Sequence, residues 1–123
     1  MPGKHTTSCV FAKRLKEARV RSGLTQEQLG INAGIDEFSA SARVNQYERG
    51  KHLPHLVMGQ RLARALHVPT SFLYEEDDLL AALLATAAPL TRAKKRILLA
   101  NAEALTQSAS SKARKPSNVE PFD

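Results

Sequence analysis

Apolar positions recur at helical spacing along the first half of this chain. Phe11, Leu15 and Ala18 stand three or four residues apart, with Lys13, Arg14, Lys16, Glu17, Arg19 and Arg21 between them. Such a stripe marks a half-buried helix and predicts that the intervening charges face solvent. Gly23 follows it in the position where a left-handed residue ends a helix. Thr25-Gln26-Glu27-Gln28 has the form of a capping box, a hydroxyl residue followed three positions later by an amide. It predicts a short second helix through Leu29 to Ala33, closed at Gly34. Ile35-Asp36-Glu37-Phe38 reads as a turn holding two side chains of the kind that bury, Ile35 and Phe38. Ser39 or Asp36 can cap a third helix that carries Val44 and Tyr47 and ends at Gly50. After Pro54, Leu56, Leu62, Ala63 and Leu66 outline a fourth helix. Val68-Pro69-Thr70 breaks it, and Phe72 and Leu73 lie on a fifth short turn.

Beyond Tyr74 the pattern changes. Glu75-Glu76-Asp77-Asp78 places acids where a helix N-terminus favours them. Leu79, Leu80, Leu83 and Leu84 follow, Pro89 interrupts, and Leu98, Ala102 and Leu105 form a second apolar stripe. These two stripes admit two readings: they complete the core of the preceding domain, or they join two copies of the chain. The basic run Arg92, Lys94, Lys95 and Arg96 reads as a solvated face. The predicted organisation is therefore a lead-in over 1–10, a compact domain over 11–76, a helical extension over 77–107 and a disordered tail over 108–123.

Composition narrows the class. Of the 123 residues 42% are hydrophobic, and with no Trp and few other aromatics the core must be built from Leu, Ala, Val and Ile. That mixture, without β-branched runs, predicts an all-α fold. A net charge of +6 suits a polyanionic partner. Cys9 is the single cysteine, so an intrachain disulfide and a cysteine-rich metal site are excluded. His52 and His55 form a close pair but bring no further ligands, and no metal or cofactor is expected. No Ser/His/Asp spacing, phosphate-cradling loop or acid pair placed in a cleft appears, and the acids at 75–78 read as a helix cap, so an enzyme is not expected. No apolar segment marks a secretory signal after Met1, and the stretch Leu79 to Ala88 is about half of the ~20 residues that span a bilayer. A cytoplasmic protein without membrane contact is expected.

The candidate chemistry lies between Thr25 and Lys51. The third helix carries Ser41, Arg43, Asn45 and Gln46 on one side, and Asn and Gln can bond adenine edges bidentately in a DNA major groove. The strings RLKEARVRSGLTQEQLG, AGI, YERGKHLP and LARALHVP, in that order, resemble the Cro/Xre family of phage-repressor-type helix-turn-helix regulators. The resemblance covers residues 11–74 and rests on Leu24-Thr25-Gln26 with Leu29, Ala33-Gly34-Ile35, Tyr47-Glu48-Arg49-Gly50-Lys51 with Pro54, and Leu62-Ala63 with Leu66. One stretch departs from the usual pattern: Gly34 to Tyr47 spans thirteen positions, longer than is common in the family. The segment DEFSASAR with NQYERGKH resembles a subgroup of bacterial regulators that share this longer turn.

The resemblance implies a five-helix lambda-repressor-like domain that reads double-stranded DNA, with the C-terminal helices as an extension. Counted back from Glu48, the family's base-contacting positions fall on Ser41, Ala42, Asn45 and Gln46. Phosphate-binding positions fall on Gln26, Arg43, Arg49 and Lys51, with His52 close by. Arg19 and Glu48 align with an ion pair that links the first helix to the end of the third, a structural role. The resemblance further implies a repressor that occupies its operator as a homodimer. An antitoxin-like module that uses the same fold to bind a protein is the alternative, although the tail offers only Val119 and Phe122 as apolar contacts.

Overall fold

The computed structural model describes residues 6–113, with side chains through Ser108. Among these residues the fold is all-α: α1 (Thr7–Ser22), α2 (Gln26–Asn32), α3 (Ala40–Glu48), α4 (Leu56–Leu66), a 3-10 turn (Thr70–Tyr74), α5 (Asp78–Ala87) and α6 (Arg92–Ala113). The chain divides into one compact unit up to Ala88 and another from Pro89 onward.

α1 begins four residues before Phe11, inside the segment whose composition reads as a lead-in. Thr6 caps it, its hydroxyl accepting from the Cys9 N–H at 3.3 Å, and Val10 is already buried. Residues 1–5 of that expected lead-in lie outside the described residues. At the other end Gly23 adopts φ 73°, and Leu24 N–H reaches back to the Arg19 carbonyl at 3.2 Å. This left-handed cap favours a residue without Cβ and turns Leu24 onto the core. α2 opens on the capping box, with Gln28 N–H donating to the Thr25 hydroxyl at 3.0 Å and Thr25 N–H to the Gln28 side chain at 2.8 Å.

The core gathers Phe11, Leu15 and Ala18 of α1, Leu29 of α2, Val44 and Tyr47 of α3, and Leu62, Ala63 and Leu66 of α4 around Phe72 and Leu73. Each large apolar side chain buried there contributes about 1.5–3 kcal/mol. In α4, Met58 and Gly59 complete the buried stripe, whereas Leu56 is exposed. α2 and α3 pack closest at Gly30, where an added Cβ would lie 2.7 Å from the Ala40 Cβ. Only glycine lets the two helices approach that far.

Ile35 is buried in the turn between α2 and α3, as its type suggests, but Phe38 is not. It is 90% exposed, because Asp36 closes a tight turn that directs the chain outward before α3 begins. Arg14 reverses its expected place as well. On a helix face that reads as solvated, it is only 3% exposed. Its guanidinium donates to the carbonyls of Glu75 at 2.8 Å and Glu76 at 3.2 Å, pairs with Asp78 at 2.9 Å and lies over the Phe72 ring. A buried charge is tolerable only when its donors are satisfied, and here backbone carbonyls some sixty positions away supply the partners. Arg14 thereby clamps the entry into α5.

Asp77 caps α5, accepting from the N–H groups of Leu79 and Leu80. The helix sets Ala81 into the core and leaves Leu79, Leu80 and Leu83 exposed. α6, taken by itself, starts on Thr91, whose hydroxyl accepts from Lys94 N–H at 3.2 Å. Ile97, Leu98, Leu99 and Leu105 on it are all exposed. It continues to Ala113, past the expected start of the disordered tail at 108, since Ser and Ala tolerate a helix and proline is not reached until Pro116. Residues 114–123 of that tail lie outside the described residues. No described helix is long and apolar enough to cross a membrane.

Candidate nucleic-acid interface

α3 turns Ala40, Val44 and Tyr47 inward, which leaves Ser41, Ala42, Arg43 and Gln46 exposed and Asn45 half-buried at the edge. The nine residues of α3 are about 13 Å long at 1.5 Å per residue. A major groove about 12 Å wide accepts such a helix. At the C-terminal end Gly50 is left-handed and Lys51 N–H donates to the Gln46 carbonyl at 3.0 Å. This second glycine cap ends the helix, and Arg49, Lys51 and His52 around it are all exposed.

Four of the residues singled out in the sequence meet in one network. Glu48 accepts from Arg19 Nε at 2.5 Å and Nη2 at 3.0 Å, and Arg19 Nη1 donates to the Leu24 carbonyl at 2.9 Å. The hydrogen bond to Glu48 raises the guanidinium pKa above its ordinary value. Gln26 adds its amide, which donates to Glu48 Oε1 at 3.1 Å and to Asn45 Oδ1 at 3.2 Å. The Glu48 carboxylate is thus drawn inward, away from the cationic surface, and Asn45 keeps its own amide hydrogens for donation outward. The Gln26 amide is engaged within the protein, so this side chain is turned toward α3. Arg43 stands apart from the network and donates to the Tyr47 hydroxyl at 3.2 Å, one turn along the same helix.

Two features of this surface carry no sequence signal. Arg61 of α4 lies against Gly34, with Nη1 3.7 Å from where a Cβ would stand, and so adds a cation beside the turn. Nothing in the local pattern of α4 distinguishes it from the exposed Arg64. Phe38 projects from the same turn. A group of three or more His, Cys, Asp or Glu side chains able to hold a metal ion does not occur among the described residues.

Residues 10–71 match the helix-turn-helix domain family, a span from within α1 to just past α4. The chain belongs to that family. A relative from Methanothermobacter thermautotrophicus, an uncharacterized HTH-type transcriptional regulator, is 35% identical over an alignment of 66 residues that covers 51% of this chain and 90% of that protein. Among solved structures, the crystal structure of the transcriptional regulator BswR superposes with a TM-score of 0.74 at 45% identity, covering 79% of this chain and 96% of that one. The likeness to BswR runs further along the chain than the helix-turn-helix family match does. Within the family span α2 and α3 pack on each other, α1 packs on α3 and α4 on α2.

Proposed function

We propose that the protein is a DNA-binding transcriptional regulator of the Cro/Xre type, with a longer turn before its recognition helix, that lays α3 in the major groove. The observation that carries this reading is the outer face of α3. Ser41, Ala42 and Gln46 are exposed on it and Asn45 is half-buried, with Arg43, Arg49 and Lys51 exposed as well, which supports reading the first four as base-facing and the cations as their flanks. Gln46 and Asn45 read bases through their amides, Ser41 through its hydroxyl, and Ala42 gives room for close approach or meets a thymine methyl. Arg43, Arg49 and Lys51 hold phosphates and set the register. Gln26 joins them by exchanging its bond to Glu48 for a phosphate oxygen while it continues to orient Asn45.

A single helix of this length reads only a few base pairs, so the working form is a homodimer on two half-sites about one helical turn apart. The exposed leucines of α5 offer one apolar face on which two copies join, and the stripe Leu98 and Leu105 of α6, taken by itself, offers another. Regulation is repression by occupancy of the operator, without a cofactor.

Salt dependence tests this reading. Three cations on each of two subunits give about six phosphate contacts, hence a log–log slope near about −5 and a loss of ~10³-fold between roughly 50 and 200 mM salt. A slope near zero would refute it. Single substitutions then separate reading from gripping. Gln46→Ala should cost about 1–3 kcal/mol on the preferred operator and relax specificity at one base pair. Arg49→Ala should weaken all duplexes alike and shallow the slope by about one unit for each phosphate no longer held. Equal losses on specific and random DNA for Gln46→Ala would move the readers to the first turn of α3.

A further inference from the structure

Phe38 is the most exposed large hydrophobic side chain among the described residues, at 90%, ahead of Leu79 and Leu105 at 72% each. An aromatic ring in water is ordinary on a loose loop, but this turn is fixed from both ends. Before it, Ile35 is buried and its N–H donates to the Gly30 carbonyl at 2.9 Å. After it, Ala40 is fully buried against Gly30. Between them Asp36 accepts from Phe38 N–H at 3.1 Å and from the Ser39 hydroxyl at 3.4 Å, while Ser39 N–H donates to the Asp36 carbonyl at 2.9 Å. The chain therefore presents the ring from a held backbone, two residues ahead of the first residue of α3.

That location matters because the N-terminal end of a recognition helix is the part that reaches base edges. Phe38 precedes Ser41 by three residues in the chain. A phosphate contact does not suit it: the ring has no donor, and the neighbouring Asp36 and Glu37 repel the DNA backbone. What an apolar ring does recognise in a major groove is the 5-methyl group of thymine.

We infer that Phe38 is a specificity-determining residue that reads a thymine methyl at the outer edge of each half-site. This rests on the DNA-binding reading above and adds a base-pair position that the amides and hydroxyl of α3 do not reach. The longer turn between α2 and α3 then has a purpose, since it places an apolar reader in front of the helix.

The test uses the full chain and the duplex that the wild-type protein selects from a random-sequence pool. Each thymine is replaced singly by deoxyuridine, which removes only the methyl group, and affinity is measured by fluorescence anisotropy at fixed salt. For the wild type, one thymine per half-site should weaken binding about 5–10-fold on replacement, a factor within the range of one base contact. Phe38→Ala should weaken binding by a similar factor on the thymine duplex and show no difference between thymine and deoxyuridine there. Phe38→Leu should keep part of the difference. Because the ring is exposed rather than packed in the core, both variants should melt like the wild type. The inference is overturned if Phe38→Ala keeps the wild-type thymine sensitivity, if its loss is equal on selected and random DNA, or if it changes the oligomeric state instead of the affinity. Failure of the underlying reading looks different: the wild type itself would then select no sequence and bind DNA without salt dependence.

Discussion

Replacing Glu48 by alanine removes three hydrogen bonds at once, two from Arg19 and one from Gln26. The carboxylate is 3% exposed and the guanidinium 14%, so water can restore only part of what is lost. At about 1–1.5 kcal/mol net for each bond, the sum is ~3–4.5 kcal/mol. The partial exposure of Arg19 lowers the expectation to about 2–3 kcal/mol, at or below the low end for a broken buried pair. For a unit of this size that corresponds to a fall in melting temperature of about 10–20 °C. Arg19→Ala should cost a comparable amount, because it leaves a buried carboxylate with Gln26 alone. The double variant should then lose at least ~1 kcal/mol less than the two singles together, since each single leaves an orphaned charge that the double does not. Urea unfolding followed by far-ultraviolet circular dichroism gives all four stabilities. Losses that add to within about 0.5 kcal/mol would refute the coupling and leave the two residues acting independently.

Other consequences follow from individual contacts. Gly30→Ala should destabilise by about 1–2 kcal/mol despite the better helix propensity of alanine, because the new Cβ meets the Ala40 backbone at 3.0 Å. Gly59→Ala should cost less, since its Cβ meets the far end of the half-buried Tyr74 side chain, which can shift, rather than a helix backbone; urea midpoints in the reverse order would contradict both. The Asp78 carboxyl is held below its ordinary pKa of 3.8 by hydrogen bonds from Lys13 and Arg14. A depressed folded-state pKa stabilises above the unfolded value and loses that contribution as pH falls through the folded one. Asp78→Asn should therefore trail the wild type near neutral pH and match it in strong acid, with a small gap because the group is exposed; a gap that persists at about pH 2 would count against the ion pairs. If the extension joins two copies, Leu98→Asp with Leu105→Asp should give monomers in sedimentation and weaker operator binding, whereas an unchanged dimer mass would exclude that stripe.

Local chemistry made much of the framework legible in the sequence. The Thr25–Gln28 capping box, the glycine stop at Gly23 and the stripe Leu62, Ala63, Leu66 each involve residues within one or two turns of each other, and each appears in the structure. Interactions of that range depend on spacing alone, so reading the order of residues is enough. The polar face of α3 is visible for the same reason, because Val44 and Tyr47 mark its opposite side.

What required the tertiary structure was every case in which a partner arrives from far along the chain. Periodicity assigns Arg14 to the solvated face, yet the carbonyls of Glu75 and Glu76 come over it and make burial favourable. In α5 the leucines dominate the sequence pattern, but the helix turns Ala81 and Ala85 toward the core, and Leu79, Leu80 and Leu83 stay outside. Phe38 has the composition of a core residue and the position of a surface one, because the Asp36 turn and the buried neighbours Ile35 and Ala40 leave no interior space for it. Gln26 has an amide suited to a phosphate, and only the packing of α2 on α3 turns it toward Asn45 and Glu48. For Arg14, the leucines of α5 and Gln26 the physical reason is common: a sequence specifies which face of a helix a side chain occupies, and the fold decides what covers that face.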